Sequence, residues 1–600
     1  MTAHSAPFAD ETKPLSVIPI LPEEYDDFET EAGKFRRGEI EEKKFMGYRL
    51  KRGVYGQRQA DVQMVRVKIP FGGLNADQLD TLGRIARDFA PLNKGHVTTR
   101  ENVQFHFIPL ERAIEALRIL GDVGLSTREA CGNCVRNVTG SPYAGVSKDE
   151  VFDPTPYAGA FTRYFVRKPF TQDMPRKFKV AFSCTASDDA IAGIHDIGFM
   201  PVIREIDGEQ VKGFRMLVGG GLATFARNAE ELYDFVPVSD FLRVSEALLR
   251  TFNNSTELRK TRFKARIKFL VSWIGIDGLR DRVEEELKQD WASDPIDPAP
   301  YLWKDDEESG YPAAALPMNG SAPSPNGDSW PFSVWRSKNT REQRQPGFFA
   351  VEVKLPIGDI DADQFSGLAK ISRRFARGRA RTSFEQNIVF RWVRAEDLYA
   401  LWRELGRIGL GDGGAHEITD VVSCPGTDSC KLGITSSMGL GKEIIKTLDE
   451  MNIDDPLIRE LHIKMSGCPN SCGMHHLGNI GFHGGTLRVG DARLPAYEVF
   501  LGGKYEDTGG DTRIADRISI RLPAKRVPEG LRIILALYLN ERLDGERFNE
   551  YYERLGKRPF EDALRDLHLS GKFGDDPDLF VDWNRSEAYV LERGEGECMS

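Results

Sequence analysis

Short apolar runs along this chain, such as Met64 to Ile69 and Phe349 to Leu355, are each followed by a stretch in which apolar residues recur at helical spacing, Asp77 to Phe89 and Asp363 to Phe375. The short runs predict strands with at least one buried face, and the longer stretches predict amphipathic helices. Strands alternating with helices in this way predict an α/β or α+β architecture.

The pattern also repeats. Val67-Lys68-Ile69-Pro70-Phe71-Gly72, followed by Asn75-Ala76-Asp77-Gln78-Leu79, returns later as Val353-Lys354-Leu355-Pro356-Ile357-Gly358, followed by Asp361-Ala362-Asp363-Gln364-Phe365. Each copy continues with a helix, a basic strand and a second helix, which end Leu120-Gly121-Asp122-Val123-Gly124-Leu125 and Leu405-Gly406-Arg407-Ile408-Gly409-Leu410. Further on, Asp196-Ile197-Gly198-Phe199 matches Asn479-Ile480-Gly481-Phe482, and Val218-Gly219-Gly220 matches Leu501-Gly502-Gly503. Matches in one order at a nearly constant offset indicate two homologous halves. Between them, residues 304–346 are rich in Pro, Gly and Ser, a composition that cannot bury enough surface to fold alone, and they are expected to be a linker. Residues 1–60, charged and weakly patterned, are expected to form an extended arm over the body, with a disordered tail as the alternative.

A chain of 600 residues, 40% of them hydrophobic, is too long for one core and predicts two or three domains. No apolar run is long enough to span a bilayer, and Met1-Thr2-Ala3-His4-Ser5 opens no charged-then-apolar leader, so a cytoplasmic protein with no membrane partner is expected. The net charge of -10 argues against nucleic acid as a partner, while leaving room for a local basic pocket.

The chemistry concentrates in four of the eight cysteines. They form two pairs, Cys424-Pro425-Gly426-Thr427-Asp428-Ser429-Cys430 and Cys468-Pro469-Asn470-Ser471-Cys472, with 37 residues between them. A cubane iron-sulfur cluster takes one thiolate per iron and needs the backbone to fold closely around it. Gly426, Gly433, Gly467 and Gly473 are expected to permit that approach, and Pro425 and Pro469 to stop regular structure from running on. Disulfides, zinc and buried free thiols compete with this reading. The absence of a leader and the few cysteines disfavour disulfides, and zinc sites usually have a shorter gap than the one between Cys424 and Cys430. Free thiols leave the crowding of cysteine and glycine unexplained.

The halves differ where the chemistry lies. Ser141-Pro142 stands in the first half where Cys424-Pro425 stands in the second, Cys184 aligns roughly with Cys468, and Asp188 falls where Cys472 would be. The first half instead offers Arg100, Arg136, Lys177 and Lys179, and the repeat position of Arg100 holds Glu385. Taken singly, each cation reads as a solvated charge; together they predict an anion pocket facing the cysteine half. Lys177 and Lys179, two apart on an expected strand, point the same way and repel one another unless an anion sits between them. Cys131-Gly132-Asn133-Cys134 has thioredoxin-like spacing without the βαβ setting, which favours a structural or pocket-lining role.

Taken together, Cys-x5-Cys, Cys-Pro-Asn-Ser-Cys, Thr-x-Arg-x-Asn (98–102), Cys-Gly-x-x-x-Arg-Asn (131–137), Arg-Lys-Phe-Lys (176–179) and Val-Gly-Gly-Gly (218–221) resemble the sirohaem-containing sulfite and nitrite reductases, from about residue 45 to about residue 570. The resemblance implies an α+β and α/β, three-domain fold with pseudo-twofold symmetry. It places ferredoxin-like half-repeats at 61–128 and 347–412, a first sirohaem-binding α/β domain at 129–303, and a second, cluster-bearing one at 413–600. It implies two cofactors, sirohaem (siroheme) and a [4Fe-4S] cluster bound by Cys424, Cys430, Cys468 and Cys472. Cys472 is implied to ligate the sirohaem iron as well. Arg100, Arg136, Lys177 and Lys179 match the family's anion-binding and proton-supplying groups, and any of them also suits the carboxylates of the sirohaem.

Within the family, sulfite reducers generally keep lysine at both positions of the Lys-x-Lys pair, whereas nitrite reducers commonly carry a neutral amide at the second. Lysine at both, 177 and 179, favours sulfite, a dianion, over nitrite, a monoanion. The alternatives are six-electron reduction of nitrite to ammonia and, from another class, a non-catalytic iron-sulfur electron-transfer or regulatory protein. His475-His476 departs from the family's bacterial sulfite reducers and reads as a pair that supports the iron ligands from behind or packs, rather than as iron ligands. Gly439-Leu440-Gly441 lacks the rest of a dinucleotide fingerprint, so the electrons are expected from an external donor, ferredoxin or a separate flavoprotein.

Overall fold

The computed structural model describes residues 16–304, 307, 329–505, 512–569, 576–594 and 596–597. The first half-repeat supplies β1 (Val54–Gly56), β2 (Val62–Val67), β3 (Gly73–Asn75), β4 (Lys94–Val97) and β5 (Val103–Pro109). The following domain supplies β6 (Val135–Gly140), β7 (Phe178–Phe182), β8 (Ile197–Ile206), β9 (Glu209–Val218) and β10 (Glu230–Pro237). The second half-repeat contributes β11 (Thr340–Glu342), β12 (Phe348–Val353), β13 (Asp359–Asp361), β14 (Arg379–Thr382) and β15 (Ile388–Arg394). The last domain contributes β16 (Val422–Ser423), β17 (Ile463–Ser466), β18 (Ile480–Val489), β19 (Ala492–Leu501) and β20 (Asp516–Pro523).

The two half-repeats exchange a strand. Their sheets run β1-β2-β5-β4-β13 and β11-β12-β15-β14-β3, so each is completed by a three-residue strand from the other half. The turns that permit the exchange are the recurrent Pro-x-Gly sequences. Pro70 and Pro356 interrupt the preceding strand, and Phe71 (φ 45) and Ile357 (φ 51) turn the chain through left-handed backbone. At Gly72 a Cβ would meet Thr382 O at 2.3 Å, and at Gly358 it would meet Val97 O at 2.5 Å, so only glycine lets each turn lie against the opposite repeat. Matching capping boxes follow, Asn75 with Gln78 and Asp361 with Gln364, and each starts the predicted helix. The apolar faces of those helices share one core, in which Leu79, Leu82 and Phe105 pack with Phe365, Leu368 and Phe390.

The remaining domains repeat a second pattern, β6-β7-β8 and β16-β17-β18 parallel, each continued by two antiparallel strands. Ile197 pairs with Val180 and Ile480 with Ile463, so equivalent residues here stand 283 positions apart. This register places Asp189, not Asp188, opposite Cys472, and Thr185, not Cys184, opposite Cys468. Matching one cysteine to another had moved the alignment by one residue.

Two expectations about connecting segments are corrected. The N-terminal arm is not extended. Glu23–Arg36 and Glu42–Leu50 are helices, and Phe28 and Phe45, 6.1 Å apart and stacked, enter the half-repeat core. Few apolar residues suffice because these helices bury only one edge, which is why the pattern read as weak. The linker expectation fails for 329–346, where Ser329–Asn339 is helical and β11 joins a sheet. There Trp335 is buried and stacks with Phe332 at 6.0 Å, an apolar pair that the proline- and glycine-rich stretch before it conceals. The Gly320 to Gly327 run and residues 1–15 lie outside the described residues. No described helix is long and apolar enough to cross a membrane.

Glu352 on β12 ties the units together. Its carboxylate accepts from Tyr143 Oη at 2.5 Å and Asn387 Nδ2 at 3.1 Å, and lies 2.5 Å from His416 Nε2. Burial acts to raise its pKa, but His416 and Tyr143 outweigh it and hold the group down to about 2. A carboxyl depressed on folding stabilises the native state above its unfolded value, and the contribution drains away as pH falls through the folded value. Urea titrations of Glu352→Gln and the parent protein are therefore expected to differ by about 2 to 3 kcal/mol near neutrality and to converge as pH drops from the ordinary carboxyl range towards 2. A constant difference across that window would show that the ion pair is not the source.

Candidate functional site

Strand register brings the two halves of the site face to face. Cys424 follows β16, Cys468 follows β17, and Cys430 and Cys472 lie in the loops beyond them. The loops pack on one another. A Cβ on Gly467 would meet Gly426 Cα at 2.6 Å, and one on Gly473 would meet Met465 O at 1.9 Å. These glycines thus let backbone approach backbone; the expectation that they face only a bound cluster is narrowed accordingly. Gly467 N donates to Cys424 Sγ at 3.2 Å, and Ser437 Oγ donates to Cys424 O at 2.7 Å.

All four thiols line one cavity of about 290 Å³. Burial raises Cys424 to about 12 and also raises Cys430 and Cys468, so each must lose a proton to a metal before it can bind one. No disulfide joins any described cysteine.

The first half supplies the facing wall. The turn between β4 and β5 is held by Thr98, whose Oγ1 accepts from Arg100 N and Asn102 N, both at 3.2 Å. Arg100 reaches back across β6 and β7, donating to Asn137 O at 2.5 Å, to Thr139 Oγ1 and Val180 O at 3.3 Å, and to His195 Nε2. Arg136 lies on β6 and Lys179 on β7, with Lys177 one residue before that strand. Lys179 is half-buried, and desolvation together with Arg100, Arg266 and Lys177 pushes its ammonium well below the ordinary lysine value. Thr99 Oγ1 crosses to the other half and donates to Cys472 O at 2.7 Å.

A second cavity of about 130 Å³ adjoins the first. Arg136, Lys177, Lys179, Cys424 and Cys472 line both, Arg100 only the second, and Cys430 and Cys468 only the first. All eight residues singled out from the sequence therefore meet here. Cys472 is the exposed member of its foursome and stands at the wall the cavities share. His475 and His476 line neither cavity, and Cys134 is a buried thiol donating to Cys131 O at 3.0 Å. Cys598 lies outside the described residues.

Sequence reasoning missed Arg66, Arg262, Arg266 and Lys268 in the larger wall, together with Thr99 and His195 in the smaller. Arg266 is fixed by two bonds to Asp196, at 2.7 and 2.8 Å. None of the described residues lining either cavity is an aspartate or glutamate, although the chain carries 91 of them. A cationic wall without carboxylates, opposite four thiols that line one cavity, fits a polyanionic macrocycle beside an iron-sulfur cluster.

The family model described as "Nitrite and sulphite reductase 4Fe-4S domain" matches residues 131–291 and 414–573, and that described as "Nitrite/Sulfite reductase ferredoxin-like half domain" matches 55–123 and 341–408. The chain belongs to the nitrite and sulfite reductase family. Its cofactors are accordingly a sirohaem and a [4Fe-4S] cluster. Among relatives of this reductase, a sulfite reductase [ferredoxin] of Mycobacterium tuberculosis is 30% identical over 501 residues, 83% of each chain. An assimilatory ferredoxin-dependent nitrite reductase of Haloferax mediterranei is 27% identical over 522 residues, 84% of each. The solved structure of the Mycobacterium tuberculosis NirA protein superposes with a TM-score of 0.73 at 27% identity, covering 92% of this chain and 98% of that one. The mixed α/β fold with duplicated sheets and ferredoxin-like half-domains, expected from the sequence, is thus established for this reductase.

Proposed function

We propose that this reductase converts sulfite to sulfide, with Cys424, Cys430, Cys468 and Cys472 holding the cluster and Cys472 also ligating the sirohaem iron. Arg100, Arg136, Lys177 and Lys179 bind the oxyanion and the carboxylates of the sirohaem. The position of Cys472 carries the ligand assignment, because its thiol alone of the four is exposed and it faces both cavities. When bound, the two cofactors would relay to the substrate, one or two at a time, the six electrons that an external donor supplies.

The side chains do the rest. Arg100 and Arg136 present delocalised cations that orient a small oxyanion, and Lys177 and Lys179 add compact charge beside them. Lys179 Nζ, whose pKa desolvation and the neighbouring cations lower, holds its proton more firmly as the anion arrives and can pass it to a substrate oxygen leaving as water. A non-catalytic electron carrier has no use for such a wall. Ferredoxin is proposed as the donor in preference to a flavoprotein, since relatives of nearly equal length are named for it.

Two lysines in a cavity without carboxylates favour a dianion, and this supports sulfite over nitrite. Nitrite is the second reading, because relatives of similar identity and coverage are named nitrite reductases. Steady-state kinetics with an artificial donor test the choice independently of the natural partner. The expected outcome is a higher kcat/KM for sulfite than for nitrite; the reverse order would replace the assignment with nitrite reduction.

A further inference from the structure

The turn that carries Cys472 has a counterpart in the half that has no cluster. Ser471 (φ 55) and Met474 (φ 56) correspond, 283 residues apart, to Asp188 (φ 66) and Ile191 (φ 46). Both halves therefore fold the same turn through the same two left-handed positions, neither of them glycine. Such backbone persists only where surrounding contacts hold it.

In the first half the holding group is a carboxylate. Asp188 Oδ1 accepts from Ala192 N at 2.6 Å, and Oδ2 accepts from Gly193 N at 2.9 Å. The second half has Ser471 in its place, with a single oxygen and no charge. At the positions of Ala192 and Gly193 it has His475 and His476. His476 Nδ1 lies 2.9 Å from Ser471 Oγ. His475 Nδ1 lies 3.1 Å from Ser466 Oγ, which in turn accepts from Gly473 N at 3.0 Å. One imidazole thus secures the residue before Cys472, and the other, through Ser466, the residue after it.

The exchange has an electrostatic reason. A cluster bound by thiolates is anionic, and a carboxylate adjoining Cys472 would oppose it. The imidazoles bring no negative charge in either protonation state, and burial lowers His475 far below its ordinary value and His476 to about 3. Their rings lie 4.1 Å apart and rest on Phe500 at 4.8 and 5.1 Å, which leaves them little room to turn.

We propose that His475 and His476 are positioning residues for Cys472, a lock without a carboxylate standing where the cluster-free half uses an aspartate. This rests on the role assigned to Cys472 above. It is tested on the loaded holoenzyme by the rate at which an iron chelator bleaches the cluster and by the electron paramagnetic resonance spectrum of the reduced centres. His476→Ala and Ser471→Ala are each expected to hasten bleaching about tenfold and to alter the spectrum, as removal of groups that orient metal ligands does. The double variant should be no worse than either single one, because both break the same contact. His476→Asn, whose amide replaces Nδ1, should restore the rate to within about twofold of the parent. Parent-like bleaching and spectra in both His476→Ala and Ser471→Ala overturn the proposal. So does additive damage in the double variant. Ser471→Ala and His476→Asn decide the matter if His476→Ala does not accumulate. Cys472→Ser, run alongside, separates the two levels: if it keeps the parent spectrum, the role of Cys472 fails and the lock fails with it.

Discussion

Replacing Cys472 with serine is expected to abolish six-electron turnover and to uncouple the two redox centres. Cys424, Cys430 and Cys468 would still line the larger cavity, but of the two thiols that line both cavities the exposed one would be gone. Serine has nearly the same shape, yet its hydroxyl is a poor ligand for iron-sulfur chemistry because it gives up its proton far less readily than a thiol. The loss should therefore be specific to ligation, and packing should survive. Cys184→Ser is the matched control. Cys184 is a buried thiol outside both cavities whose Sγ donates to Asp189 at 2.9 Å, a bond that serine can also make. Optical and paramagnetic spectra of the two purified variants are the measurement. Cys184→Ser should look like the parent protein, and Cys472→Ser should lose the signature of interacting centres. A Cys472→Ser enzyme with both cofactors coupled and full turnover would refute the ligand assignment.

The duplication was legible because its signals are local. Pro-x-Gly turns and Asn/Asp-x-x-Gln capping boxes specify their own geometry within a few residues, and both recur at nearly the same offset. The exchange of β3 and β13 was not legible. Each strand has three residues, too few to show a hydrophobic period, and each finds its partner in the other half. The site divides along the same line. The four cysteines and the Thr-x-Arg-x-Asn and Arg-Lys-Phe-Lys stretches announce themselves by spacing, whereas Arg66, Arg262 and Lys268 reach the cavity from other parts of the first half and look like ordinary surface charges until the chain is folded. Thr99 is a further case. Its bond to Cys472 O joins residues 373 positions apart, and nothing in either local sequence specifies it. The helices of the N-terminal arm were missed for the opposite reason: their signal is real but rests on few apolar residues among many charges.

Lys179→Asn is expected to lower kcat/KM for sulfite far more than for nitrite. An ammonium about 4 Å from a unit charge contributes roughly 4 kcal/mol at an effective dielectric of about 20, and a dianion doubles that before water competes. Removing one oriented donor from a charge-stabilising site commonly lowers turnover on the order of 10²-fold, the loss expected here for sulfite, with about a tenfold loss for the monoanion. The pH dependence supplies a second readout. Desolvation, with Arg100, Arg266 and Lys177 nearby, holds Lys179 well below the ordinary lysine value, so it sheds this proton at lower pH than an exposed lysine does. An arriving dianion favours the protonated form, so binding takes up a proton and kcat/KM for sulfite should fall as pH rises through the lowered value. Asparagine has no proton to take up, and that limb should disappear from the profile of the variant. Equal losses on the two substrates, with the alkaline limb intact, would show that Lys179 neither reads the charge of the anion nor supplies its proton, and the preference for sulfite would lose its physical basis.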